Sequence, residues 1–90
     1  MKSLRSIVNQ VLAYHVGQPG GTIQPWQELA RDLDMTPLEV VLLALEIEGI
    51  EGVDIDLTGL ELVRTVGELS TFLGREIARA RRSVIDDEVA

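Results

Sequence analysis

Residues Thr36 to Ile47, Thr-Pro-Leu-Glu-Val-Val-Leu-Leu-Ala-Leu-Glu-Ile, constrain this chain more than any other stretch. Thr36 is a good N-cap, and Pro37 suits the first helical position because its missing N–H has no intrahelical partner to lose. Glu39, three residues after Thr36, completes a capping box. A helix therefore begins at Thr36. Gly49 is its expected end, since glycine is the usual residue just past a helix C-terminus. Leu38, Val41, Leu42 and Leu45 recur at helical spacing, while Val40, Leu43, Ala44 and Ile47 make a second apolar row beside them. One row is enough for a core. A helix apolar on both is central in its fold, or meets a partner on the side the core leaves free, and here we expect both.

Ninety residues make one domain with a single modest core. Leu42 and Leu45 are core candidates by type, yet both rows of the helix cannot easily be buried in a chain this short. There are no cysteines, which excludes disulfides, thiolate zinc sites and a cysteine nucleophile. A single histidine, His15, argues against a histidine dyad or a histidine-based metal site, and its helical position reads as solvent-facing. No run is long enough to cross a membrane, and Met1-Lys2-Ser3-Leu4-Arg5 leads into an amphipathic pattern instead of a signal-peptide core. A cytoplasmic setting is the default expectation.

The formal charge of −7 is unevenly spread. Ten of the fifteen acids lie between Glu28 and Glu61 with only Arg31 among them, while Arg75, Arg79, Arg81 and Arg82 crowd the last helix. An acidic middle repels phosphate backbones and favours basic protein surfaces. The arginines read as a solvated face pairing with acids such as Glu76, or as a docking patch.

Ser3 caps a first helix carrying Leu4, Ile7, Val8, Val11 and Leu12 on one face, with Gly17 at its end. Gly17 to Thr22 is the expected flexible loop. Ile23 and Trp26 read as apolar plugs at its far end, and Gln27 to Leu33 as a short helical turn pointing Leu29, Ala30 and Leu33 inward. After the central helix, Val53-Asp54-Ile55-Asp56-Leu57 is a short strand or an extended link. Thr58 to Val63 reads as one turn of helix. Thr65-Val66-Gly67-Glu68 is a second capping box, behind which Leu69, Phe72, Leu73, Ile77 and Ala80 pattern a last helix that frays after Arg82. Residues 1–85 thus form the domain and 86–90 an acidic C-terminal tail.

This order of features resembles the acyl carrier protein family. The family opens an acidic second helix with Asp-Leu-Gly-x-Asp-Ser-Leu, follows it with an Ile-x-Ile-type link and a short helix, and starts its last helix with Thr-Val-Gly-Asp/Glu-Leu. Here Asp32-Leu33 and Leu38-Glu39 sit at the turn, Val53-Asp54-Ile55 at the link, and Thr65-Val66-Gly67-Glu68-Leu69 at the last helix. The resemblance covers nearly the whole chain. It implies an all-α fold, a small four-helix bundle with three main helices and one short one.

The resemblance also implies 4′-phosphopantetheine on a serine, but the family's Asp-Ser-Leu is Thr36-Pro37-Leu38 here. Proline has no hydroxyl, the family's Gly is Asp34, and its Asp is Thr36. Asp34, Thr36, Pro37 and Leu38 therefore form a vestigial attachment turn, and no cofactor is expected. Family members usually carry a glutamate near the position of Leu42, so a partner surface of Glu39, Leu42, Leu45 and Glu46 is more hydrophobic than is usual. The partner is a protein: a biosynthetic enzyme, or a second copy meeting the 37–48 helix.

Carboxylates such as Asp54 and Asp56 have no supporting base or nucleophile, so a non-enzymatic role is expected. We therefore read a docking module lacking the attachment serine, in a fatty-acid, polyketide or related biosynthetic setting. One alternative is an atypical active carrier using Thr36. Another is a winged-helix-like interaction or DNA-binding domain, with Trp26 to Val40 as helix-turn-helix and Val53 to Val63 as wing. Glu39, Glu46 and the leucines are poor readers of base edges and phosphates, which disfavours nucleic acid.

Overall fold

The two threonine-capped helix starts are held together by a backbone clasp. Leu29 N–H donates to the Arg64 carbonyl (2.8 Å), Val66 N–H to Gln27 (2.9 Å) and Gly67 N–H to Pro25 (2.9 Å). The pairing is antiparallel and includes a bridge between Glu28 and Thr65. A Cβ on Gly67 would sit 3.2 Å from the Pro25 carbonyl oxygen, so the close approach of the two segments explains glycine at this position.

The structure, a computed structural model, describes residues 3–18 and 22–89, with side chains as far as Arg82. Three helices run in order among the described residues: α1 (Leu4–Val16), α2 (Pro37–Glu51) and α3 (Val66–Val89), with a 3-10 turn, Leu60–Leu62, before α3. The fold is all-α. The short fourth helix expected between Thr58 and Val63 is this one 3-10 turn, and Val53 to Leu57 is an extended link without strand pairing. Val53 to Val63, read alternatively as a wing, thus consists of this link and the 3-10 turn.

α1 packs against both α2 and α3. Val8, Val11, Leu12 and Ala13 of α1 meet Leu43, Ala44 and Ile47 of α2 and Leu69, Phe72, Leu73 and Ile77 of α3 in one apolar cluster. Leu12, Leu43, Ile47, Leu69 and Leu73 are completely enclosed, each worth about 1.5–3 kcal/mol of burial. Ile23, Leu29, Leu33, Met35, Ile55 and Leu60 close the core from the connecting segments.

Several expectations are corrected. α2 runs through Gly49 and ends at Gly52, which takes the left-handed conformation (φ 69°) while its N–H donates to the Glu48 carbonyl. The second of two nearby glycines is the terminator because Gly49 keeps a helical backbone and Glu51 stays in the last turn. Trp26 is 69% exposed, not a core plug; the 25–29 segment is anchored by backbone bonds and by buried Leu29 instead. Gln27 to Leu33 forms turns without a helix, and Ala30 faces outward. α3 continues through Val89, past Arg82 where it was expected to fray. His15 is three-quarters buried, because its Nε2 bonds Glu46 Oε2 of α2 at 2.9 Å. Pro19 to Gly21, the middle of the expected flexible loop, lie outside the described residues.

The two rows of α2 separate except at Val41, which is half-buried and packs against the core beside Val40. Leu43, Ala44 and Ile47 are buried, and Val40 is half-buried; Leu38, Leu42 and Leu45 are exposed. Leu43→Ala should lower unfolding free energy by about 2–5 kcal/mol, whereas Leu42→Ala should change it by no more than about 0.5 kcal/mol. Urea denaturation of both variants checks the assignment of rows.

Candidate functional site

The turn that opens α2 is built from its own hydrogen bonds. Asp32 Oδ2 accepts from the Glu28 N–H (2.7 Å), the Glu28 carbonyl accepts from Asp32 and Leu33, and Met35 N–H donates to Leu29 (2.9 Å). Leu33 and Met35 are thereby buried while Asp34 between them is turned outward with φ 54°. A non-glycine residue in this left-handed region costs roughly 1 kcal/mol, and Asp tolerates it better than most.

Next comes the cap. Glu39 N–H donates to Thr36 Oγ1 (3.2 Å), and Thr36 N–H donates to Glu39 Oε1 (3.0 Å). Both halves of the capping box are therefore made, with Pro37 at the first helical position. The Thr36 hydroxyl oxygen is engaged in holding the helix. The second box repeats the arrangement: Glu68 N–H donates to Thr65 Oγ1 (3.1 Å), while Glu68 Oε1 accepts from the N–H groups of Arg64 and Thr65. Of the other hydroxyls, Ser70 Oγ on α3 is enclosed by protein.

Beyond the cap, the four residues expected to meet a partner divide into two kinds. Leu42 and Leu45 are 48% and 44% exposed, and with Leu38 (66%) they form one continuous apolar row along α2. Glu39 and Glu46 flank that row but have internal bonds, Glu39 in the cap and Glu46 to His15. The remaining acids of α2 are likewise used within the fold. Glu48 Oε2 accepts from the Ile55 N–H (2.7 Å), fixing the extended link, and Glu51 pairs with Arg81 of α3 (3.1 Å). Sequence spacing placed Glu46 and Glu48 on α2, left Glu51 beyond the expected end at Gly49, and could not show the partners of these three, which lie up to 31 residues away.

On the other side of Pro37 lies a cavity of about 520 Å³ that sequence reading did not foresee. Pro37, Val40 and Val41 form one wall and Leu57, Leu60 and Val63 the other. Its lining is mainly apolar, with Glu28, Glu61 and Arg64 also contributing, so it can accept a hydrocarbon group. Among the described residues, no group of three or more His, Asp or Glu is placed to hold a metal ion, and no helix is long and apolar enough to cross a membrane. No family model matches this chain, and no curated protein matches it.

The capping carboxylates titrate abnormally. Glu39 is held below its ordinary value of 4.5 chiefly by the backbone N–H of Thr36, and Glu68 by those of Arg64 and Thr65. A lowered folded-state value means the charged carboxylate favours the native state. That contribution is present above pH 4.5 and is lost as pH falls through the folded values. Glu39→Gln, which retains a hydrogen-bonding cap but cannot titrate, should flatten the fall in melting temperature below pH 4.5. Thermal melts of parent and variant between neutral and acid pH measure the difference.

Proposed function

We propose that this chain is a carrier-protein-like domain that lacks the attachment serine and acts as a non-enzymatic docking module, in a fatty-acid, polyketide or related biosynthetic setting. The observation that carries the proposal is the exposed row of Leu38, Leu42 and Leu45 immediately behind the capped turn. A continuous apolar row on a helix whose opposite face fills the core is a surface suited to covering by a partner. Because Glu39 and Glu46 are bonded internally, hydrophobic contact supplies the greater part of the attraction. The occupant is a protein: a biosynthetic enzyme, or a second copy.

The likeness to carrier proteins draws further support from the backbone. Asp34 occupies the place of the family's glycine in the turn and has the left-handed conformation that glycine adopts without strain. The element order also agrees, with the 3-10 turn Leu60–Leu62 standing where the family has its short helix. The attachment chemistry does not fit. Pro37 has no hydroxyl to esterify, and the Thr36 hydroxyl oxygen accepts the Glu39 N–H.

Two measurements test the proposal. Intact-mass spectrometry after co-expression with a broad-specificity phosphopantetheinyl transferase should show an unchanged mass, alongside a control carrier that is fully modified. Gain of one phosphopantetheinyl group on Thr36 would instead make the chain a working carrier. Leu42→Glu should weaken association at least tenfold, read by sedimentation for self-association or by calorimetry against a carrier-dependent enzyme. Placing a charge in an apolar contact is what costs the affinity. Its melting temperature should stay within about 2 °C of the parent, as for an exposed site.

A further inference from the structure

A second surface, to which no residue of α2 contributes, carries the opposite charge. Arg5 of α1 and Arg75 and Arg79 of α3 line an open groove of about 700 Å³ that begins at the Thr58-Gly59 turn. The groove is assembled by close packing of α1 on α3: a Cβ on Gly74 would lie 3.3 Å from Leu4 Cδ2, and this glycine admits the start of α1 beside Arg75. Its apolar component is Leu62, 77% exposed, with Phe72 beneath the surface.

The carboxylates of the groove are already committed. Glu68 accepts from Arg64 and Thr65 in the second capping box, and Glu76, buried, pairs with Arg79 at 2.6 Å. Arg5 and Arg75 have no carboxylate within ion-pair distance among the described residues. In a chain of net charge −7, two guanidinium groups left unpaired on one groove are complementary to an anionic partner. Guanidinium forks bind carboxylates through paired, charge-assisted hydrogen bonds. The groove follows α3 from Glu68 to Arg79, about 16 Å of helix. That length and its open form exceed what a single small anion covers, and Leu62 adds an apolar contact.

We propose that the Arg5–Arg75–Arg79 groove binds an acidic, leucine-bearing segment of a partner protein. Its carboxylates pair with Arg5 and Arg75, and an apolar side chain covers Leu62. This surface is independent of the row on α2 and does not rest on the reading above.

Fluorescence anisotropy with a labelled helical peptide of about twelve residues, carrying Glu at i,i+4 spacing and two leucines, tests the assignment. Saturable binding is expected, falling as salt rises, at least tenfold weaker in the Arg5→Gln/Arg75→Gln variant and unchanged in Leu42→Glu. Both guanidinium groups are exposed, so the variant should melt with the parent; should it not fold, Arg5→Lys/Arg75→Lys, which keeps charge but loses the fork, should weaken binding to a lesser degree. Absence of saturable binding, binding unaffected by the arginine variants, or binding lost in Leu42→Glu would overturn the proposal. Inorganic pyrophosphate or a single-stranded oligonucleotide binding more tightly than the peptide, and losing affinity in the arginine variant, would also overturn it and assign a phosphate ligand.

Discussion

The clasp between residues 25–29 and 64–67 is the constraint on which the arrangement of helices depends. The chain between α1 and α2 has little regular structure of its own, and its polar backbone groups need partners wherever Leu29, Leu33 and Met35 are drawn into the core. The start of α3 supplies them. Leu29 receives its carbonyl partner from Arg64 and gives its own carbonyl to Met35, so one short relay connects the first turn of α3 to the last residues before α2. Gly67 is the steric condition for the relay, because any side chain there would press on the Pro25 backbone. Fixing both helix starts at one end leaves α1 to fill the space between α2 and α3.

Charge in this protein is largely structural. Each glutamate of α2 is spent on a different junction: Glu39 on its own cap, Glu46 on α1 through His15, Glu48 on the extended link, and Glu51 on α3 through Arg81. Exposed ion pairs contribute little individually, so these contacts act mainly by fixing register between elements that the core holds together. The consequence for recognition is asymmetric. An acidic helix whose acids are internally bonded has its leucines as the exposed feature left for the proposed docking, whereas Arg5 and Arg75 have no carboxylate partner among the described residues.

Helix starts were legible in the sequence because capping is local chemistry: Thr36 with Glu39, and Thr65 with Glu68, specify their own bonds within four residues. The apolar rows of α2 were legible for the same reason of periodicity, although spacing alone could not say which row faced inward. That choice belongs to α1, whose Val8, Val11 and Leu12 meet the row of Leu43 and Ile47. What escaped the sequence were features set by distant contacts. Trp26 looked like core by size, but the clasp turns the 25–29 segment so that Leu29 is the residue buried. The pairing of His15 with Glu46 spans 31 positions, and no local pattern announces it. Gly52 and Gly49 are equally good terminators by type, and the backbone requirement of the following link selects between them.

Asp34 connects the fold to the functional reading. A left-handed aspartate between buried Leu33 and Met35 is strained relative to glycine, and the turn keeps that conformation because bonds on both sides over-determine it. The geometry of the turn does not depend on the hydroxyl that a carrier protein would need there. Capping by Thr36, proline at the first helical position and burial of Met35 are sufficient to build it. Under the function proposed above, absence of the attachment serine is therefore compatible with the helix start that leaves Leu38, Leu42 and Leu45 exposed. For that reason the proposal of docking does not depend on the turn being modified.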